Sequence, residues 1–103
     1  MRAEPFTKAE AEAKRLAMRL LAAGAVRFSG HVRDEMKNDG IIEADVVNAF
    51  CHGAAHRAAM QSDGSYSYKL TRRDIGVAVS FRFDGATAIA VVVRTAWRIR
   101  RAP

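Results

Sequence analysis

The chain has 103 residues and is half hydrophobic, which suits one domain with a single modest core. Its net charge of +6 is unevenly spread. Residues 1–63 carry nine Lys or Arg and nine Asp or Glu, whereas residues 64–103 carry eight Lys or Arg and only two Asp. A charge excess confined to the last forty residues favours a polyanionic partner, with nucleic acid first and an anionic membrane surface second.

Several classes of protein are excluded by the same composition. No apolar run approaches the roughly 18–20 residues that a membrane-spanning helix needs, and the N-terminal residues predict a charged helix rather than the apolar core of a signal peptide. A single cysteine rules out an internal disulfide and a cysteine zinc cluster. We therefore expect a cytoplasmic protein with no cofactor and no association with a membrane.

Helical patterns occupy the first half of the chain. Thr7-Lys8-Ala9-Glu10 fits a capping box, and Ser29 is placed to cap a later helix. The predicted helices cover residues 8–23, 30–38 and 43–52. Residues 53–63 predict a loop with at most one helical turn, because they are rich in Ala and polar residues and end in a turn signal.

The second half of the chain is predicted to be β-structure. Alternating or β-branched segments predict strands at Tyr66–Thr71, Val77–Phe83 and Thr87–Trp97, with Val26–Phe28 as a candidate fourth strand. The fold class is therefore α+β, with two to three N-terminal helices packed on one face of a three- to four-stranded antiparallel sheet. We predict one domain over 1–103, with a helical part at about 7–53, a β-meander at about 65–98 and a basic tail at 98–103.

Side-chain parity predicts one apolar and one basic face for this sheet. Val79 and Phe81 share the apolar side, and Arg82 lies on the other. A three-residue loop that ends at Gly85 would pair Arg82 with Ala86 and join the apolar sides of the last two strands. Because burial of one face strongly specifies register, we expect this loop rather than a two-residue one.

The same parity assigns further residues to each side. The basic face is predicted to carry Lys69, Ser80, Arg82, Arg94 and Arg98, among alanines. The apolar side is predicted to take Ile89, Trp97, Tyr66 and Tyr68. The basic face either binds a phosphate backbone or is only solvated, as one face of an antiparallel sheet usually is. Arg98 and four other arginines are expected to add nucleic-acid affinity that falls with salt: Arg72, Arg73, Arg100 and Arg101.

Three histidines and the cysteine are the other candidates for chemistry. His31 could act as a general acid or base, since imidazole gains and loses a proton near neutral pH, or could simply be a surface or capping residue. His52 and His56 lie four residues apart beside Cys51, but Gly53 interrupts the helix that would bring them together. We therefore expect no metal site and treat the cysteine as a small hydrophobic residue.

Short motifs in this order resemble a known family. Residues 29–36 read Ser-Gly-His-Val-Arg-Asp-Glu-Met, residues 40–46 read Gly-Ile-Ile-Glu-Ala-Asp-Val, and residues 92–95 read Val-Val-Arg-Thr. Together with helices before a basic meander, they resemble the RelE-like superfamily of small toxin proteins, in particular a branch with a Ser-x-His helix motif. Residues 20–27 are also similar to the opening of MqsR-type toxins. The resemblance covers about residues 12–96.

The resemblance implies a RelE-like fold and a metal-independent RNA endonuclease, an mRNA interferase that is the toxin of a bacterial toxin–antitoxin pair. Its partners would be RNA, free or on the ribosome, and a cognate protein antitoxin, and a homodimer is left open. The positions that match the family pattern are His31, Met36, Gly40, Ile41 and Thr95. On this hypothesis His31 is the catalytic acid or base, Arg82 and Arg94 stabilise the reacting phosphate, and Lys69 positions the RNA backbone.

Two positions depart from the family pattern. Glu35 and Asp39 stand where the pattern has arginines, which places anions near the expected site. These departures favour a second hypothesis, a non-catalytic regulatory or inhibitory protein that grips a protein or nucleic acid through its basic sheet face. A helix-turn-helix DNA-binding protein is the weakest alternative, because the predicted helices lie in the half of the chain with no net charge.

Overall fold

The computed structural model describes residues 6–62 and 64–99, which form three helices and one five-stranded sheet. The helices are α1 (Glu10–Ala22), α2 (Val32–Asp39) and α3 (Glu43–His52). The strands are β1 (Val26–Phe28), β2 (Ala54–Met60), β3 (Tyr66–Arg72), β4 (Ile75–Asp84) and β5 (Thr87–Arg98). The α+β class, with helices packed on a sheet, is confirmed.

The sheet is larger than predicted and is mixed rather than antiparallel. Its strand order is β1-β5-β4-β3-β2, and β1 runs parallel to β5. The predicted loop at 53–63 is wrong, because residues 54–60 pair with β3 as an edge strand. This strand has almost no buried residues, so no apolar alternation could reveal it. Pairing with β3 and an ion pair from Arg57 to Glu10 of α1, 2.8 Å long, hold it in place.

Two of the predicted helix caps are also wrong. α1 begins at Glu10 after Ala9, with no side-chain cap, so Thr7 does not form the expected capping box. The Ser29 hydroxyl donates instead to the backbone carbonyl of Arg94, 3.1 Å away, and His31 occupies the N-cap position of α2. This bond ties the start of α2 to β5.

The β4–β5 hairpin reaches the expected pairing of apolar faces by another route. Asp84 pairs with Thr87, so the loop has two residues rather than the three predicted. An extra residue, Ile89, then shifts the register, because its two neighbours on β5 pair with consecutive residues of β4. Val91 and Val93 thereby join the buried face. Ile89 is pushed out of the core instead, and 48% of it is exposed.

A second bulge in β5 reverses the predicted sides of the last residues of the strand. Val93 pairs with Val79, and Thr95 pairs with the next residue, Ala78, so Arg94 is the extra residue. Beyond it Ala96 enters the core and is 2% exposed. Trp97 was predicted to lie on the apolar side and instead lies on the opposite face.

The core lies between the helices and one face of the sheet. Each helix contributes a short apolar stripe and the central strands contribute mostly valines, each fully buried aliphatic side chain being worth about 1.5–3 kcal/mol. The buried helical residues include Ala13, Ala17, Leu20, Val32, Met36, Val46, Ala49 and Phe50. Phe6 adds an aromatic cluster at one end, with Tyr68, Phe81 and Phe83 within 6 Å of its ring centre.

Tyr68 links this core to the segment before α1. Its ring is fully buried and its hydroxyl donates to the backbone carbonyl of Lys8 at 2.5 Å. Burial raises the pKa of Tyr68 above its usual value of 10.0. Because the folded-state pKa exceeds the unfolded one, the neutral phenol contributes stability below pH 10 that is lost as the pH rises through the folded-state pKa.

We therefore expect Tyr68→Phe to lower the free energy of unfolding at neutral pH by about 1 kcal/mol, through the lost hydrogen bond. Its free energy should also fall less steeply than that of the wild type above pH 10. Urea unfolding on both sides of that pH measures both effects, with Tyr66→Phe as the control. An equally steep alkaline loss in the wild type and Tyr68→Phe would contradict this assignment.

Candidate nucleic-acid interface

The face of the sheet opposite the core is called here the open face. Cross-strand partners share a face, so the register assigns its members directly. They are Arg27, Ala54, His56, Lys69, Thr71, Gly76, Ala78, Ser80, Arg82, Asp84, Thr87, Ala90, Val92, Thr95 and Trp97. Arg94 has no cross-strand partner, but it is exposed and follows Val92 by two residues, so alternation along β5 places it on the same face. Small residues occupy its middle, and longer cationic side chains stand around them. The helices α1, α2 and α3 pack on the opposite face of the sheet, where the core lies.

Four cations of the open face are free of carboxylates. Arg27, Lys69, Arg82 and Arg94 are all exposed, and no ion pair joins any of them to an acid among residues 6–62 and 64–99. Long-range repulsion between such charges is relieved when phosphates replace water around them. The predicted basic face thus exists, although one member differs from the prediction and Arg27 was not foreseen.

Arg82 and Arg94 share this face but are not neighbours. Arg82 pairs with Ala90, and Arg94 follows four residues later in β5. At about 3.4 Å per residue, roughly 13 Å of strand separates these two points. An extended strand of nucleic acid is a shape of ligand that would contact both along the face.

A cluster of polar side chains lies where α2 meets the edge of β5. β1 ends at Phe28, and the chain then enters α2, which packs along the part of β5 that β1 does not cover. The Thr95 hydroxyl donates to Oε2 of Glu35 at 3.2 Å. The other oxygen, Oε1, lies 3.8 Å from Nε2 of His31. We call His31, Glu35 and Thr95 the edge cluster.

The edge cluster has the composition of an acid–base site. His31 and Glu35 are 68% and 40% exposed, so a bound molecule can reach both. Glu35 Oε1 is itself buried and has no hydrogen-bond partner within the described part of the chain. A buried carboxylate oxygen without a partner is costly, and a hydrogen bond from the adjacent His31 imidazole would lower that cost. Arg94 is exposed and directly precedes Thr95 in β5.

Glu35, predicted to place an anion near the expected site, lies between His31 and Thr95. The i, i+4 spacing of His31 and Glu35 on one helix could have indicated their contact. Its bond to Thr95 spans 60 residues of sequence and could not.

The remaining residues matched to the family have structural positions. Met36 and Ile41 are buried in the core. Gly40 ends α2 with a φ of +67°, a left-handed conformation that glycine adopts without strain. The second departure from the family pattern also has a structural position, since Asp39 Oδ2 accepts the backbone N–H of Arg98 at 3.3 Å.

Arg98 was predicted to lie on the open face and does not. It pairs with Ile75, whose side chain is buried on the core side. Its guanidinium donates to the backbone carbonyls of Asp39 and Gly40 at 2.8 and 3.1 Å, and to Oδ2 of Asp74 at 2.6 Å. Arg98 therefore caps the C-terminus of α2, where helix carbonyls lack partners, and fastens it to the β3–β4 turn.

The other predicted nucleic-acid-binding arginines lie away from the open face or outside the described residues. Arg72 pairs with Ile75 and shares a pocket with Asp45 and Asn48 of α3, on the helical side. Arg73 is in the β3–β4 turn with a φ of 55° and borders the same pocket. Arg100 and Arg101 lie outside the described residues.

The candidate metal ligands are spread over two elements. His52 ends α3, Gly53 turns the chain, and His56 lies in β2 opposite Lys69. A Cβ at Gly53 would collide with the carbonyl oxygens of Ala49 and Thr71, so the turn depends on glycine. Among the residues that the structure describes, no three His, Cys, Asp or Glu side chains come together, and no helix is long and apolar enough to cross a membrane.

Comparison with known proteins adds no relative. The chain matches no protein-family model, no curated protein and no solved structure. The resemblance to RelE-like proteins therefore stays a prediction.

Arg98 and Arg82 form a matched pair of arginines with opposite expected roles. We expect Arg98→Gln to lower the free energy of unfolding by about 1–2 kcal/mol, because several partly exposed hydrogen bonds to α2 and Asp74 are lost. Its affinity for RNA should change little. Arg82→Gln should leave the stability unchanged and weaken RNA binding, with a shallower dependence on salt.

Urea unfolding and fluorescence anisotropy with a labelled RNA oligonucleotide, over a series of salt concentrations, measure both properties for each variant. A fully stable Arg98→Gln variant with weakened RNA binding would reverse the assignment of Arg98 to structure.

Proposed function

We propose that this protein is a metal-independent endoribonuclease that holds single-stranded RNA along the open face and cleaves it at the edge cluster. The observation that carries the proposal is the meeting of His31, Glu35 and Thr95 beside Arg94, at the end of a row of cations that have no acidic partner among residues 6–62 and 64–99. An acid, a base and a cation are what RNA cleavage needs when no metal takes part.

The residues suggest a division of roles. The Glu35 carboxylate removes the proton of the ribose 2′-hydroxyl, and the freed oxygen forms a bond to the adjacent phosphorus. The bond from phosphorus to the 5′ oxygen breaks, and the His31 imidazolium donates a proton to that oxygen. The products are a 2′,3′-cyclic phosphate and a 5′-hydroxyl end. Arg94 neutralises the charge that develops on the phosphorane, and Thr95 keeps Glu35 in place through its hydroxyl.

The cations beyond the edge cluster favour a polyanionic substrate that extends over the sheet. Lys69, Arg82 and Arg27 extend away from Arg94 over the open face, where they would hold several consecutive phosphates. Between these cations lie the small residues Ala78, Ser80 and Ala90 of the same face, which would leave room for a strand to approach the sheet. On the same proposal Lys69 positions the backbone.

Cleavage of a labelled single-stranded RNA in the presence of a chelator tests the proposal. We expect His31→Ala and Glu35→Gln each to slow cleavage at least about 100-fold, since general acid–base groups contribute about 10²–10⁴. The products should end in a 2′,3′-cyclic phosphate, and the corresponding DNA should not be cut because it lacks the 2′-hydroxyl.

Asp34→Asn is the matched control, because Asp34 is an exposed acid one position from Glu35 on the same helix. It should keep the rate of the wild type. Equal rates for the wild type, His31→Ala and Glu35→Gln would contradict the site, whether the activity was high or absent.

The resemblance to RelE-like toxins extends the proposal to a biological role. As the toxin of a toxin–antitoxin pair, the protein would arrest growth when expressed, through cleavage of RNA that is free or on the ribosome. Growth arrest that is lost in His31→Ala, and relieved by co-expression of a small neighbouring reading frame, is the expected result. Arrest that persists in His31→Ala would separate the toxicity from the proposed chemistry.

A specific observation favours a second candidate function, a non-catalytic binding protein that uses the same face. Arg82 lies roughly 13 Å along the sheet from Arg94. Much of the basic face therefore lies away from the edge cluster, where it could bind a partner without taking part in cleavage. RNA binding without cleavage in the wild type, with Arg82→Gln weaker and Glu35→Gln unaffected, would select this candidate.

A further inference from the structure

Among the open-face residues that the structure describes, Trp97 is the one with a large aromatic ring. The bulge at Arg94 reverses the parity of β5 and turns Trp97 away from the core. Its cross-strand partner is Gly76, and a Cβ there would lie 2.5 Å from the indole ring. The ring therefore rests directly on the glycine backbone, which supports one side of it.

The surroundings of this ring match the two parts of a nucleotide. The Lys69 ammonium lies 5.6 Å from the centre of the ring and forms a cation–π contact. Lys69 is exposed on the surface of β3, so its side chain can move from the ring to a phosphate without disturbing the core. Thr95, two residues before Trp97 on the same face, belongs to the edge cluster.

The spacing between ring and cluster suits one nucleotide. Two residues of an antiparallel strand span about 6.8 Å, a distance that one extended nucleotide bridges. A base stacked on Trp97 would place a neighbouring phosphate over Thr95 and Arg94. The same base could not reach Arg82, which lies at the other end of the face.

We propose that Trp97 is a stacking site for one unpaired base of single-stranded RNA, with Lys69 binding that nucleotide's phosphate. The proposal deepens the proposed function and depends on it for the identity of the ligand as RNA. It assigns to the site a substrate class, unpaired RNA, since a base within a duplex exposes no face to the indole. Stacking is tolerant of sequence, so the site selects strandedness rather than a particular base.

Oligonucleotides that cannot be cleaved separate stacking from catalysis. A 2′-O-methyl RNA lacks the nucleophilic hydroxyl, and a matched oligomer with abasic positions keeps its phosphates and loses its bases. Trp97 is the single tryptophan of the chain, so its emission reports on this position alone. We expect the base-bearing oligomer to quench it and the abasic oligomer to leave it nearly unchanged.

Substitution of the ring gives the second readout. Trp97→Leu should weaken binding of the base-bearing oligomer about tenfold or more and leave that of the abasic oligomer unaltered, because stacking on an aromatic side chain contributes about one or two orders of magnitude per base. Trp97→Phe should restore part of the affinity. Ile89→Ala is the control, since it removes an exposed apolar side chain of the same sheet at its far end. Circular dichroism and thermal unfolding check that each variant is folded.

The outcomes distinguish the two proposals. Equal affinity of Trp97→Leu and wild type for the base-bearing oligomer, or equal binding of both oligomers by the wild type, would overturn the stacking site. Quenching and base-dependent binding by a protein that cleaves no RNA would support the stacking site and overturn the nuclease.

Discussion

The placement of the hydrophobic core on one face of β5 is the constraint on which the rest of this structure depends. β5 pairs with β1 on one side and with β4 on the other. It therefore lies inside the sheet, next to the strands on both sides. Its residues in the core cluster, Val91, Val93 and Ala96, do not follow a strict alternation. Two bulges, at Ile89 and Arg94, absorb the mismatch and keep apolar side chains on the helical side. Each bulge also determines which side chains reach the open face.

The docking of α2 against β5 follows from the shortness of β1. Because β1 has three residues, the edge of β5 beyond Val93 is left without a strand partner. The chain fills that place with α2, tied by Ser29 at its start and by Arg98 at its end. A helix at a strand edge can bring its side chains level with the open face. Glu35 therefore contacts Thr95, although the apolar side of α2 faces the core.

The fold distributes the positively charged side chains between the two faces of the sheet. Of the cations in the basic second half, Arg98 and Arg72 turn to the helical side, where acids and carbonyl groups surround them. Lys69, Arg82 and Arg94 remain on the open face without such partners among the described residues. Arg27, from the half of the chain with no net charge, joins them through the parallel pairing of β1. Strand pairing, and not position along the chain, thus determines which cations lie on the basic surface.

Much of the fold was determined by local sequence signals. The helices, the two long strands of the meander and the apolar parity of β4 were predictable, because each depends on residue periodicity and on turn residues within a short segment. The same signals placed Arg82 and Lys69 on a basic face and singled out His31. β2 escaped prediction because it is exposed at nearly every position, and the parallel pairing of β1 joins residues more than sixty positions apart.

Only the tertiary structure decided the composition of the site. The bulge at Arg94 moved Trp97 to the open face and Ala96 into the core, and a strict alternation of the sequence predicts the reverse. Contacts between α2 and β5 brought Glu35 to Thr95, and they gave Asp39 and Arg98 structural roles. The physical reason is common to these cases. Register shifts and helix docking depend on the burial of distant apolar residues, and that burial has no signature in the local sequence.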